Sequence, residues 1–299
     1  MTSFDKFSNA IVAKYQSKGL HKSRNLEYAI LKFKRFVNKD IFIEEVDYEI
    51  ILEYEHYLID IKKQSRATVN SDFKLLKIIF KAAVQSNIIN EIKNPFYKHI
   101  RKTSYSNREF LTEYEIDKIA NLIFPEKRII GKIRDLFLFS FYCGGIRISD
   151  LLKLKKCQYD NNYINYIAHK NNYQHRIKVP KKAKQLIQKY QNTKCENDLL
   201  FPMFKNYINF DDEKITIKKL SSKINQINKE LKIIAHQAGI KKRLSFHCSR
   251  HTFATNAISK GIPVKNISKI LGHSNVQLTL NYAKIEPHIL DNAMDKFNE

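Results

Sequence analysis

Apolar residues recur every three to four positions through the first hundred residues, and this spacing is typical of amphipathic helices. Phe4, Phe7 and Ile11 begin the first apolar stripe. The stripes predict four helices, at residues 4–15, 26–36, 46–59 and 69–89. Because no alternating strand pattern competes with this spacing, a four-helix bundle is the simplest way to bury the apolar faces. The sequence therefore predicts a helical N-terminal domain over residues 1–100.

The helical pattern stops at Pro95, and a different pattern begins at Thr112. Proline cannot continue a helix, and the residues after Pro95 are polar and basic without apolar periodicity. Thr112 is followed three positions later by Glu115, which is the spacing of a capping box at a helix start. We therefore expect a linker at residues 101–110 and a second domain over residues 111–299.

The second domain combines strand and helix patterns. Residues 163–169 and 175–180 alternate like strands, and a polar turn that contains Lys170 joins them. Helical spacing predicts further helices at residues 127–142, 182–190, 215–238, 247–259 and 263–271. The predicted fold class is mainly α with a small antiparallel β-sheet (α+β), in which a helical bundle precedes a mixed domain.

Charge narrows the class of partner. Among 299 residues, 53 are Lys or Arg and 30 are Asp or Glu, which gives a net charge of +23. Such an excess favours a polyanion as the partner. Acidic residues concentrate at 40–61, where no Lys or Arg occurs. The segregation predicts one surface of the first domain that faces phosphate and another that is turned away from it.

The sequence also limits the expected location. No run of about 18 apolar residues is present, so no membrane helix is expected. The N-terminus lacks the basic and apolar pattern of an export signal, which favours a cytoplasmic protein. The four cysteines are far apart and form no CxxC pair, a distribution that favours reduced thiols.

An arginine occupies an unexpected place after the glycine pair Gly144-Gly145. The pair is suited to end one helix and to let the next begin as IRISDLLKL. Arg147 would then align with Leu151 and Leu154 on the apolar stripe of that helix. A buried guanidinium keeps its charge and needs an anion. Asp150 could supply one in a structural pair, so a structural role and a functional anion site both stay open.

A second arginine raises the same question in SFHCSRHTFAT. Arg250 lies at the edge of the apolar face of the predicted helix, and His247 lies one turn before it, with His251 nearby. Further on, His273 follows Gly272, which is suited to a helix C-cap, and Tyr282 comes nine residues after His273. Read one at a time, these residues are compatible with capping or packing.

Read in order, five motifs resemble those of the tyrosine recombinases, the phage integrase family. They are GGIRISDLLKL (144–154), HKNNYQHRIKVP (169–180), HCSRHTFAT (247–255), LGHSN (271–275) and NYAKI (281–285). Their order and spacing agree with the family over residues 110–299, and the N-terminal third is similar to its core-binding domain. Two departures are mild: Ser249 replaces a common apolar residue, and Asp150 replaces a common Glu.

The resemblance implies a set of catalytic residues and a chemistry. The implied residues are Arg147, Lys170, His247, Arg250, His273 and Tyr282, with Asp150 in support. Tyr282 would attack a DNA phosphodiester and form a 3′-phosphotyrosine. The arginines would bind the nonbridging oxygens, and His273 would donate to the phosphate. His247 would exchange the tyrosine proton, and Lys170 would protonate the leaving 5′ oxygen.

The implied reaction needs no fuel, because one phosphodiester is exchanged for a phosphotyrosine and then restored. The sequence shows no carboxylate cluster for magnesium and no phosphate-binding loop of an ATPase, so no metal or other cofactor is expected. The expected partners are double-stranded DNA and further copies of the chain, four on two paired sites. An amphipathic segment within residues 286–299 would join neighbouring protomers or fold back on its own domain.

Two other functions stay open at this point. One is cleavage of a single duplex in the manner of a type IB topoisomerase, and the other is non-catalytic DNA binding. The biological role also stays open between integration, inversion and resolution of chromosome dimers. Because the helical bundle begins within the first residues, the sequence favours a compact recombinase over a large two-site integrase.

Overall fold

The structure is a computed structural model that describes residues 1–17, 22–100, 102, 109–125, 128–193 and 197–283. It separates into two compact units, Met1–Asn107 and Arg108–Glu299. Most of the expected linker at 101–110 and all of the C-terminal segment 286–299 lie outside the described residues. The expectation of an amphipathic helix in that segment therefore remains an expectation.

The first unit is a helical bundle around an aromatic core. Its helices are α1 (Phe4–Ser17), α2 (Lys22–Val37), α3 (Tyr48–His56) and α4 (Arg66–Gln85). Phe33 meets Tyr54 edge-on with ring centroids 5.1 Å apart, and Tyr54 stacks on Phe73 at 6.0 Å. All three rings are buried, and this core holds the four helices together.

The third predicted helix, at residues 46–59, corresponds to α3 and the helical turn that follows it. A 3₁₀ turn occupies Ile43–Glu45, and α3 begins only after Asp47, whose carboxylate accepts a hydrogen bond from the backbone N–H of Ile50 at 3.0 Å. The C-terminal end of α3 continues as a π-helical turn, Tyr57–Ile61. The predicted helix is therefore present, but the cap at Asp47 moves its start two residues later and its last turn is π-helical.

The acidic stretch of the first unit contributes to the interior as well as to the surface. Glu55 is buried and forms an ion pair with Arg66, and the Nζ atom of Lys102 lies 3.8 Å from its carboxylate. The remaining acidic residues of this stretch that are exposed are Asp40, Glu44, Glu45, Asp47, Glu49, Glu53 and Asp60. These seven carboxylates therefore lie at the surface of the first unit.

The second unit contains helices and a two-stranded sheet. Its helices are α5 (Glu113–Asn121), α6 (Ile129–Tyr142), α7 (Ile148–Leu151), α8 (Lys181–Gln188), α9 (Glu213–Gln237), α10 (Phe246–Ser259), α11 (Val264–Leu271) and α12 (Gln277–Ala283). The predicted capping box at the start of α5 is confirmed: the Thr112 hydroxyl accepts from the Glu115 N–H at 3.2 Å, and the Thr112 N–H donates to the Glu115 carboxylate at 2.8 Å.

The predicted hairpin is also confirmed. Strands β1 (Tyr163–Ile167) and β2 (Gln174–Lys178) pair antiparallel, with Tyr163 opposite Lys178 and Ile167 opposite Gln174. Lys170 lies in the turn between them and is exposed. The fold class is therefore mainly α with a small antiparallel sheet, as predicted. None of the helices in the described ranges has both the length and the apolar character needed to cross a membrane.

Candidate active site

Two serine hydroxyls hold the turn after α6 against α10. Ser140 Oγ donates to the carbonyl oxygen of Ile146 at 2.8 Å and lies 2.8 Å from Ser249 Oγ. Ile146 directly precedes Arg147, and Ser249 directly precedes Arg250. The buried hydroxyls therefore fix the two arginine-bearing segments relative to one another.

Gly145 allows the backbone of this turn to approach Arg250 closely. It has a φ of +71°, and a Cβ atom added there would lie 2.8 Å from the Cα of Arg250. That distance is too short for two carbon atoms, and the clash is with backbone, which cannot rotate away. The glycine is therefore required both by its conformation and by the contact.

We expect Gly145→Ala to destabilise the chain more than Gly239→Ala does. Gly239 has a similar φ of +66°, but a Cβ atom there would meet nothing within 4 Å. The two variants share the conformational cost, so their difference isolates the clash with Arg250, which should be on the order of 2 kcal/mol in the free energy of unfolding by urea. Equal losses in both variants would contradict the close approach.

Arg250 is buried and donates to two backbone carbonyls. Its Nη1 atom donates to the oxygen of Gly145 at 2.9 Å, and its Nη2 atom donates to the oxygen of Leu271. Burial, and next the positive charge of Arg147, lowers the pKa of Arg250 to about 10. The two carbonyls therefore fix the direction of the guanidinium. A bound anion would stabilise its positive charge, which burial and Arg147 disfavour.

The predicted position of Arg147 on a helical stripe is wrong. The residue is extended, with φ −63° and ψ 142°, and precedes α7 as its N-cap residue. The helix ends at Leu151, so Leu154 lies outside it. Within the described ranges, no ion pair joins Arg147 to Asp150. The structural pairing that the sequence left open is therefore not formed here.

Asp150 instead supports the hairpin turn. Its buried Oδ1 atom accepts a hydrogen bond from the backbone N–H of His169 at 3.1 Å. His169 directly precedes Lys170, so the carboxylate anchors the turn immediately beside the lysine. Lys170 itself lies on the exposed turn, and its side chain forms no hydrogen bond or ion pair with another described residue.

The phenol of Tyr282 lies against a histidine. Tyr282 is on α12 and only 2% exposed, and it packs in an apolar cluster with Ala254, Ala257 and Leu271. Its Oη atom lies 2.9 Å from Nδ1 of His251, a residue of α10. The hydroxyl of Tyr282 is therefore held by the same helix that carries Arg250.

His247 and His251 lie one helical turn apart on α10. Their ring centroids are 4.3 Å apart with an interplanar angle of 81°. His247 is exposed, whereas His251 is buried. The pair connects the buried tyrosine hydroxyl to the surface of the unit.

His273 follows α11 directly. Gly272 ends that helix in the left-handed conformation with φ 61°, which confirms its predicted role as a C-cap. The Nδ1 atom of His273 lies 2.8 Å from Oγ1 of the buried Thr279, which orients the imidazole ring. The Leu271 carbonyl, which accepts from Arg250, lies two residues before His273. This turn therefore contacts one predicted site residue, Arg250, and carries another, His273.

Arg250 and His247 lie on α10, His273 follows α11, and Tyr282 lies on α12. These three helices pack against one another. Arg147 is close enough to Arg250 to lower its pKa, and Asp150 positions the Lys170 turn. Prediction from the sequence did not assign roles to His251 or His175. The spacing of His251 from His247 was visible on one helix face, but its contact with Tyr282 depends on how α12 packs.

Comparisons with known proteins agree over nearly the whole chain. The phage integrase family matches residues 109–288, and the phage integrase SAM-like domain matches residues 3–101. The tyrosine recombinase XerC of Listeria welshimeri is 25% identical over 280 residues, which cover 89% of this chain and 90% of that protein.

Two solved structures show the same fold. XerH site-specific recombinase bound to palindromic difH substrate aligns with TM-score 0.73 and 19% identity, covering 97% of this chain and 84% of the other. A lambda integrase tetramer bound to a Holliday junction aligns with TM-score 0.73 and 16% identity, covering 94% and 77%. The family match and the similarity to XerC identify an enzyme that breaks and rejoins DNA strands with a tyrosine. The chain belongs to the phage integrase family of site-specific tyrosine recombinases.

Proposed function

We propose that Tyr282 is the nucleophile of a site formed with Arg147, Lys170, Arg250 and His273. The observation that carries this proposal is the 2.9 Å contact between the Tyr282 hydroxyl and His251, on the same helix as the buried Arg250. A phenol is a weak nucleophile near neutral pH and needs a proton acceptor. The contact supports His251 as that acceptor.

The proposed cleavage step transfers the tyrosine proton to Nδ1 of His251. The Tyr282 oxygen forms a bond to phosphorus while the bond from phosphorus to the 5′ oxygen breaks. Lys170 gives its proton to that oxygen, which leaves as a hydroxyl. Arg147 and Arg250 bind the nonbridging oxygens, where negative charge grows. His273 donates to the same phosphate, and religation reverses each transfer.

The histidine pair refines the proton route that the sequence suggested. The resemblance assigns the tyrosine proton to His247, whereas the contact supports His251 as the first acceptor. The ring centroids are 4.3 Å apart, and we propose that the exposed His247 exchanges the proton with solvent. Asp150 is proposed as a supporting residue because it anchors the backbone beside Lys170.

Double-stranded DNA is the proposed substrate, and the cytoplasm is the proposed location. The net charge of +23 and the match of residues 3–101 to a phage integrase SAM-like domain support a DNA-binding role for residues 1–100. Exposed Arg24, Arg35, Lys74 and Lys81 lie on α2 and α4, outside the acidic stretch at 40–61. We place the catalytic domain at residues 111–299.

We further propose that four copies act on two paired DNA sites, as in the lambda integrase tetramer bound to a Holliday junction. Integration, inversion and dimer resolution all use this chemistry. In the first step, the wild-type chain is incubated with nicked duplexes of random sequence. The duplexes that become covalently attached to it identify the DNA sites that it cleaves. Supercoiled plasmids carrying two copies of a captured site should then yield recombinant circles. Relaxation without recombinants would instead support the topoisomerase-like alternative.

An anion should stabilise the paired arginines. Inorganic phosphate is expected to raise the melting temperature of the wild type, because it stabilises the charge that burial, and next the charge of Arg147, disfavours when they lower the pKa of Arg250. A concentration ten times the Kd would add about 1.4 kcal/mol. Arg147→Gln should respond much less than Lys178→Gln, which changes the net charge equally at an exposed strand position. Identical responses to phosphate at matched ionic strength would contradict an anion site at Arg147.

A further inference from the structure

The hairpin turn that carries Lys170 is fixed at a second point besides Asp150. The Nδ2 atom of Asn171 donates to the carbonyl oxygen of Gly272 at 2.8 Å, across 101 positions of sequence. Asp150 holds the backbone on the other side of the lysine, at His169. Lys170 therefore lies between two residues whose positions are set by separate elements of the unit.

His175 fills the space between β1 and the Gly272 turn. Its ring is 3% exposed and stacks on Tyr166 with centroids 4.7 Å apart and an interplanar angle of 9°. A Cβ atom added to Gly272 would lie 2.7 Å from His175 Nε2 and 3.2 Å from the ring of Tyr173. The absence of a side chain at Gly272 therefore allows the hairpin to seat against this turn.

The chemistry of His175 suits packing beside the arginines. Burial, followed by the positive charges of Arg147 and Arg250, lowers the pKa of His175 to about 4. The imidazole is neutral at neutral pH and adds no further positive charge beside the phosphate site. Its Nε2 atom has no hydrogen-bond partner among the described residues, so the ring contributes mainly by its shape and its stacking.

Gly272 connects the hairpin to the rest of the site. Its carbonyl accepts from Asn171, the preceding Leu271 carbonyl accepts from Arg250, and the next residue is His273. A shift of the hairpin on this turn would therefore move Lys170 relative to groups on α10 and α11. A displacement of about 1 Å can cost about 10²-fold in rate at a reacting centre.

We propose that Asn171 and His175 are positioning residues that seat the hairpin on Gly272 and thereby set the distance from Lys170 to the leaving 5′ oxygen. This inference rests on the proposed function, in which Lys170 protonates that oxygen. Asn171 contributes the directional hydrogen bond, and His175 contributes the packed surface. Neither residue touches the reacting atoms in this assignment.

The test uses a leaving group that needs no proton. Nicked duplexes of a captured site are prepared with either the natural 5′ oxygen or a bridging 5′ sulfur at the scissile phosphate. A thiolate leaves readily without an acid, so a defect in leaving-group protonation disappears on the sulfur substrate. Lys170→Ala is the benchmark and should lose about 10²-fold or more on oxygen and regain most of this on sulfur.

Asn171→Ala is expected to cleave the oxygen substrate about 10- to 100-fold more slowly than wild type and the sulfur substrate at nearly the wild-type rate. His175→Ala should show the same pattern, and thermal unfolding reports whether either variant remains folded. Gln174→Ala, at an exposed position on the same strand, is the matched control and should cleave both substrates normally.

Three results would overturn the inference. One is a wild-type rate for folded Asn171→Ala on oxygen, and another is an equal defect on both substrates, which would locate the fault outside proton donation. A faster rate in Asn171→Ala would mean that the contact restrains Lys170. Failure of Lys170→Ala to recover on sulfur is a separate outcome, because it contradicts the role of Lys170 in the proposed function itself.

Discussion

Tyr282→Phe is expected to abolish the covalent complex with nicked DNA and to leave DNA binding intact. The substitution removes only the hydroxyl, while the ring still fills its place against Ala254, Ala257 and Leu271. Loss of the hydrogen bond to His251 should cost about 1 kcal/mol of stability, too little to unfold the chain. Denaturing gel electrophoresis measures the complex, and a mobility shift on intact duplex measures binding.

Tyr114→Phe is the matched control for this experiment. Tyr114 is 69% exposed on α5, so its side chain lies at the surface, unlike the buried side chain of Tyr282. It should form the covalent complex at the wild-type rate. A complex that persists in Tyr282→Phe would show that another residue attacks the phosphate, and the proposed mechanism would then be wrong.

Arg250→Lys is expected to lower the cleavage rate by about 10²- to 10³-fold although it keeps the positive charge. The guanidinium donates to the carbonyls of Gly145 and Leu271 and, in the proposed complex, also to a phosphate oxygen. A lysine ammonium cannot reproduce this forked geometry. A carbonyl left without its donor should also cost about 1–3 kcal/mol of stability.

Arg128→Lys controls for a general need for arginine. Arg128 is exposed and directly precedes α6, so the substitution should change neither rate nor stability. Single-turnover cleavage under saturating enzyme separates the chemical step from DNA affinity. If folded Arg250→Lys cleaved at the wild-type rate, the forked contact of Arg250 with the phosphate would have no place in the mechanism.

Local patterns were sufficient to predict most of the elements. The capping box at Thr112, the C-cap at Gly272 and the β1–β2 hairpin depend on residues close together in the chain, and all three are present. The ends of the third helix show the limit of apolar spacing, because the N-cap at Asp47 decides where α3 begins and the last turn is π-helical.

The parts of the site that escaped prediction depend on contacts between distant residues. Apolar spacing placed Arg147 on a helix, but Arg147 is the extended N-cap residue of α7, and the buried Ser140 hydroxyl binds the carbonyl of the preceding Ile146. The contact of His251 with Tyr282 spans 31 positions, and the contact of Asn171 with Gly272 spans 101. Neither pairing has a sequence signature, because each depends on how whole helices and the hairpin pack.

The most direct test of the account identifies the residue that becomes attached to DNA. Wild-type complexes trapped on nicked duplex are digested with nuclease and trypsin and then examined by mass spectrometry. Trypsin should release the peptide 270–284, whose one tyrosine is Tyr282. We expect this peptide to carry a 3′-linked nucleotide at Tyr282, with a free 5′-hydroxyl on the released strand. An adduct on any other residue, or a 5′-linked nucleotide, would contradict the account.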